Sequence, residues 1–226
     1  MLAPHMDDEV LGCGGTIARH AQSGADVTVI FLTDGRHGAG TIAALSEPER
    51  GRRELELVDI RKQEARRAGE ILGVKHIEFL DAEDGRLRAD ALAPARLRKV
   101  LELERPHLVY LPFFLESHVD HRAASDVLIA ATAGSGFDFE CRGYEVWTPL
   151  FPNLVVEIDA TIESKRRALA CYRSQLADMD YMHTGIGLNA FRSSAVGCTT
   201  AHFVEAFFAL PLTDYRRLYR AVGRSV

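Results

Sequence analysis

Two short clusters in this chain carry side chains able to do chemistry together: Pro4-His5-Met6-Asp7-Asp8-Glu9 near the start, and His118-Val119-Asp120-His121 far along it. Imidazoles and carboxylates in these numbers suit a catalytic zinc, which takes three protein ligands and leaves one position open for water. Asp7 and Asp8 are adjacent, and neighbouring side chains in an extended segment point opposite ways. One acid can therefore hold metal while the other stays free. Zinc lowers the pKa of a bound water to about 7, and a free carboxylate beside it takes the proton as the oxygen attacks a carbonyl. His118 and His121 share a helix face if a helix begins near His118, and flank its positive end if His121 opens it. One of the two can then ligate while the other donates to an oxyanion. Asp120 between them suits an acceptor that fixes a ring tautomer from outside the ligand set. Taken singly, an acidic pair after a strand is a cap or a solvated turn, and His-x-x-His is surface chemistry; two such clusters at two strand ends favour a joint site.

The elements that must position these clusters are legible in outline. Residues 27–32 (VTVIFL) form a buried, β-branched run closed by Thr33-Asp34-Gly35, which predicts a parallel strand ending in a loop. Further strands are expected at 76–80, 108–111, 144–148 and 154–158. Helices are expected at 14–22, 49–72, 94–103, 121–132 and 162–175, the second with Leu55, Val58, Ala65, Ala68 and Leu72 on one stripe and a stop at Gly73. The segment 178–200 has little periodicity and reads as a substrate-facing loop region. Alternating buried strands and amphipathic helices predict an α/β fold, a Rossmann-like three-layer α/β/α sandwich with a mostly parallel sheet. Both clusters then lie where strand ends meet loops, the usual ligand position in such sheets.

Composition narrows the function classes. The 226 residues are expected to form a single domain, 1–226. With 27 Lys and Arg against 32 Asp and Glu, the net charge is -5, which gives no general pull toward nucleic acid or anionic lipid. Basic clusters at 50–53, 61–67 and 216–224 are interleaved with other residues and read as solvated helix faces. Cys13, Cys141, Cys171 and Cys198 are scattered, as incidental thiols in a reducing compartment would be. No apolar run is long enough to span a bilayer, and acids begin at Asp7, so neither a membrane span nor a signal peptide is expected. The expectation is a cytoplasmic protein acting on a small molecule, compatible with a homo-oligomer.

The order of the motifs then becomes specific. Pro4 to Glu9, followed by Val10-Leu11-Gly12-Cys13-Gly14-Gly15, resembles the opening motif of the LmbE-like or PIG-L family of zinc-dependent N-deacetylases, and His118 to His121 resembles its second motif. Thr33-Asp34-Gly35, Arg61-x-x-Glu64 through Leu72-Gly73, Asp84-Gly85, KRRALACYRSQ at 165–175 and Glu205-Ala206-Phe207 extend the resemblance over nearly the whole chain. The resemblance implies that His5, Asp8 and His121 hold zinc, with Asp7 as general base and His118 stabilising the oxyanion or helping to protonate the leaving amine. It implies an N-acetylglucosamine-type sugar conjugate as substrate, with Asp84 at a sugar hydroxyl. An Asp-Gly turn is the alternative for Asp84. Arg36, after Thr33, can bind a substrate hydroxyl or phosphate, and the donor set also accommodates iron or cobalt. His183 and His202, in the late irregular region, can serve as outer-shell or acid partners.

Two departures from the family pattern accompany these matches. Met6 stands where proline is usual, and only Met1-Leu2-Ala3 precede the first motif where the family has a full apolar strand. The first ligands are therefore expected to hang from an almost unsupported terminus. Among rivals, Gly12 to Gly15 lacks the G-x-G-x-x-G spacing of a dinucleotide site. An amidase of a sugar-thiol conjugate or non-sugar N-acyl substrate, or a carbohydrate-binding relative without turnover, remains the alternative; a pure binder has no need of a free Asp7.

Overall fold

In the computed structural model, which describes residues 1–89, 92–195 and 200–223, the chain runs in the order β1 (Leu2–Ala3), α1 (Asp8–Gln22), β2 (Thr28–Thr33), α2 (Gly40–Ala43), α3 (Glu49–Leu72), β3 (His76–Ala82), α4 (Ala93–Glu104), β4 (Leu108–Pro112) and α5 (Val119–Ala131). It continues through β5 (Glu140–Tyr144), β6 (Leu154–Glu157), α6 (Ile162–Leu169), α7 (Arg173–Leu176), α8 (Tyr181–Ala195), β7 (Val204–Pro211) and α9 (Leu212–Leu218). One ladder has the order β1-β2-β3, all parallel; the other has the order β4-β5-β7-β6, parallel at β4–β5 and antiparallel on both sides of β7. β1 lies against β4, so the two ladders meet there. Strand order reverses at that meeting point, and an open α/β sheet has its ligand crevice at such a reversal.

Both sheet faces are covered, as the uninterrupted apolar runs predict. Successive residues of β2 divide between two cores: Ile30 and Leu32 pack with Leu97, Val127, Leu128 and Tyr215 from α4, α5 and α9. Val29 and Phe31 pack with Val10, Cys13, Ala65 and Leu169 from α1, α3 and α6. This is the period-2 alternation of a strand buried on both faces.

The first strand departs from expectation. β1 is only two residues long, yet Leu2 and Ala3 are buried and pair with Ile30 and Phe31. The Ile30 amide donates to Met1 O, and the Thr33 amide and hydroxyl both donate to Pro4 O, at 3.0 and 2.7 Å. The chain entering His5 is thus tied to β2 before and after Leu2–Ala3, which corrects the expectation of an unsupported terminus.

Other corrections have local causes. α1 begins at Asp8, not residue 14, and its glycines serve close packing: a Cβ on Gly12 would lie 2.2 Å from the Tyr144 ring, and one on Gly15 2.6 Å from Ile158. The strand expected at 144–148 lies at 140–144, because the Glu116 carboxylate takes the next amides, those of Val146, Trp147 and Thr148. The helix expected at 162–175 breaks into α6 and α7. Leu55 is exposed, and Leu57 is buried instead. The loop expected across 178–200 is largely the helix α8, and β7 and α9 had no counterpart in the periodicity. Cys13, Cys141 and Cys171 are free thiols; Cys198 and Arg224 lie outside the described residues.

Candidate metal centre

Each strand that stops at the crevice delivers one piece of the site: His5 follows β1, Asp34 follows β2, Asp84 follows β3, and His118 to His121 follow β4. Asp7 joins the first piece to α1 with φ 145° and ψ -28°, a left-handed conformation that costs a non-glycine residue about 1–3 kcal/mol. The turn brings the His5 amide to 2.8 Å from Asp8 Oδ2. That oxygen also lies 3.2 Å from His5 Nδ1 and 3.2 Å from His121 Nε2. Nitrogens of His5 and His121, from two distant motifs, therefore gather around one carboxylate oxygen. His5, His118 and His121 each bring a ring nitrogen within 4.8 Å of the others.

His121 provides the test of whether these residues fit a metal. Its ring is fully buried, and neither nitrogen makes a hydrogen bond. An imidazole buried with carboxylate oxygens 3.2 and 3.8 Å away but no aligned hydrogen bond is poorly repaid for its lost hydration, whereas a divalent cation beside Asp8 Oδ2 would use its lone pair. The two-nitrogen, one-oxygen set is a common zinc set. Burial disfavours charge here, yet the Asp8 carboxylate holds His121 up at about 9 and the imidazoles hold Asp8 well below the usual carboxylate range.

A second cluster, His5 with Asp84 and Asp120, also lies within 4.8 Å. Its acids already have other work. Asp120 accepts from the amides of Gly85 and Leu87, at 2.7 and 3.0 Å, and approaches His5 Nε2 at 3.2 Å. Asp84 Oδ1 lies 3.1 Å from the same nitrogen, while its Oδ2 accepts from the His37 amide at 3.0 Å. These carboxylates act on the far side of His5, orienting the ring whose Nδ1 faces Asp8.

His118 is the N-cap of α5, which settles its helical position. Its Nδ1 accepts from the Asp120 amide at 3.2 Å. A neutral imidazole that accepts at Nδ1 carries its proton at Nε2, and burial, with His5 and His121 nearby, lowers the pKa of His118. His118 is thereby a neutral Nε2–H donor. Asp7 is buried and raised, with Asp8's charge adding to the effect and Arg61 opposing it from 3.5 Å.

Arg61 is a residue the motif reading did not assign. It is 2% exposed, and its guanidinium donates to Met6 O and Gly35 O, at 2.8 and 3.0 Å. Glu9 is a second: it accepts from the Asp7 amide at 3.1 Å and from the buried Tyr172 hydroxyl, and burial raises it to about 8. Glu116 is a third, lying 3.8 Å from His121 Nδ1. Arg36, by contrast, is committed to Asp34 through Nε at 2.8 Å. His202 is exposed on Asp159, and His183 is exposed in the first turn of α8; among the described residues neither contacts the cluster.

Comparison with known proteins follows the same residues. A family model described as GlcNAc-PI de-N-acetylase, PIG-L, matches residues 1–132. The diacetylchitobiose deacetylase of Thermococcus kodakarensis is 33% identical over 193 residues, 78% of this chain and 69% of that protein. Other curated relatives are matched over 41% to 59% of their own length. Among solved structures, the N,N'-diacetylchitobiose deacetylase of Pyrococcus horikoshii superposes with a TM-score of 0.76 at 26% identity, covering 98% of this chain and 84% of that one. GalB, the 4-carboxy-2-hydroxymuconate hydratase of Pseudomonas putida KT2440, gives 0.75 at 25% identity, with 92% and 94% covered.

Proposed function

The chain belongs to the PIG-L family of de-N-acetylases, and from that premise we propose that residues 1–226 form a single metal-dependent hydrolase domain that removes the N-acetyl group from an N-acetylglucosamine-type conjugate. The observation that carries this reading is the meeting of His5, Asp8 and His121 at one oxygen, with the unligated acid Asp7 and the Nε2–H donor His118 beside it. A zinc ion held by the three would supply Lewis acidity to the reacting water and the amide carbonyl; iron or cobalt would suit the same donors.

The chain's own residues do the rest. Asp7 takes a proton from water as its oxygen attacks the acetyl carbon, and Arg61 keeps that carboxylate aimed. His118 donates through Nε2 to the carbonyl oxygen as charge collects there. The proton then passes to the sugar nitrogen, the C–N bond breaks, and acetate and the free amine leave. Asp84 is assigned to a sugar hydroxyl, and Arg36, held in place by Asp34, to a substrate hydroxyl or phosphate. Among the described residues no helix is long and apolar enough to cross a membrane, and the free cysteines suit the cytoplasm.

The decisive experiment combines elemental analysis of the purified protein with an assay of acetate released from a panel of N-acetylglucosamine conjugates, with and without chelator. One metal per chain with chelator-sensitive acetate release is expected. Metal with turnover of other amides would support the amidase alternative, and water addition to an alkene without acetate would make the chain a hydratase. Removing the outer acid gives a second check. Asp120→Ala should weaken metal binding by about 10- to 100-fold in competition with a chelating dye; a change below about threefold would remove Asp120 from the site.

A further inference from the structure

Resting on that reading, we propose that Trp147 and Tyr181 form a rigid two-ring platform that takes the apolar face of the sugar unit attached to the N-acetylated one. β5 is parallel to β4, with Pro112 opposite Tyr144, so the turn after β5 opens at the same end of the sheet as His118 to His121. Trp147 stands on that turn, 41% exposed. Its ring meets Tyr181, the first residue of α8, edge to face, with centroids 5.8 Å apart and planes at 64°.

A lone exposed aromatic needs no explanation. This one is held from three directions. Glu116, which faces His121, accepts from the Trp147 amide at 3.0 Å. The Ser117 amide donates to Thr148 Oγ1 at 3.0 Å, tying the turn to the loop before His118. Arg192 of α8 grips Glu145 through Nε at 2.7 Å and Leu150 O at 2.7 Å, all buried, so the turn and the helix bearing Tyr181 are fastened together. Backbone fixed this firmly under an exposed indole is preorganisation, which lowers the ordering cost of binding.

The order of the groups sets what the platform touches. Tyr181 packs against the core cluster that contains Met6 and Val10, the residues on either side of the Asp7–Glu9 acids, and the Trp147 ring meets Tyr181. A sugar whose acetamide is at Asp7 reaches Tyr181 first. The unit joined to it then lies against Trp147, where a pyranose face of C–H groups packs on an aromatic ring as other apolar surfaces do.

The test uses N,N'-diacetylchitobiose and N-acetylglucosamine as probes. Trp147→Ala is expected to lower the ratio of kcat/KM for the disaccharide to that for the monosaccharide by about tenfold, through KM. Trp147→Phe should restore most of that ratio, and metal content should stay at the wild-type level in both variants. Trp147 is the chain's single tryptophan, so its fluorescence reports the platform without any turnover. Disaccharide should shift the emission saturably, and Tyr181→Ala should weaken that titration. An unchanged ratio, or a flat emission titration, would overturn the platform. Absence of acetate from either sugar counts against the de-N-acetylase reading alone, and the emission titration then decides the platform by itself.

Discussion

Replacing Asp7 with Asn should lower acetate release by about a thousandfold while leaving the metal in place. Asn is the informative substitution because it keeps the shape of the side chain and tolerates the left-handed backbone that Asp7 occupies. Alanine would add backbone strain to the loss of the acid. The Arg61 guanidinium keeps its bonds to Met6 O and Gly35 O in the variant, so the surrounding pocket has no reason to collapse. The missing function is proton acceptance, which an amide cannot supply at neutral pH. Single-turnover acetate release and elemental analysis on the same preparation check both halves. A rate within tenfold of wild type would take the general-base role from Asp7; coincident loss of metal would make it a ligand.

The largest effect on stability is expected from Lys165→Met. Lys165 and Glu205 are both buried, with Nζ 2.7 Å from Glu205 Oε1 and 2.8 Å from Leu11 O. The same carboxylate accepts from the amides of Gly15 and Thr16, at 2.9 and 2.7 Å. Removing the ammonium leaves a charge among apolar neighbours, a loss of about 3–5 kcal/mol. Adding Glu205→Gln, which removes the charge and keeps an acceptor for one of the two amides, should recover part of it. Urea unfolding at constant slope measures both. A loss under about 1 kcal/mol in the single variant would show that water reaches the pair. The pair anchors α1, whose first turn carries Asp8, so the destabilised variant should also bind metal more weakly.

What could be read from the sequence follows the range of the forces involved. The span of α3 was legible because Val58, Ala65, Ala68 and Leu72 are periodic and Gly73 ends the helix with φ 76°, although Leu57 is buried where Leu55 was expected. The gathering of His5, Asp8, His118 and His121 was legible because they lie in two compact motifs. Arg61 left a signal too: it falls on the same stripe as Val58, Ala65 and Ala68, where a charged residue demands a buried partner. Glu9 with Tyr172, and Glu116 with the 146–148 amides, pair across long stretches of chain, and nothing local announces them. The same Glu116 contact ended β5 early despite a β-prone sequence. α8 escaped notice because Gly185, Gly187 and Asn189 dilute its pattern; its hold on the fold comes through Arg192 and Glu145, again distant in sequence.

Asp120 carries a consequence of another kind. One carboxylate grips His5 on one side and the amides of Gly85 and Leu87 on the other. Any ion that fixes the His5 ring therefore biases the loop bearing Asp84, and any ligand that settles that loop must, by thermodynamic reciprocity, alter the affinity for the ion by the same factor. Metal and sugar would then bind as a linked pair, each reporting the other's presence through a single acid that need touch neither.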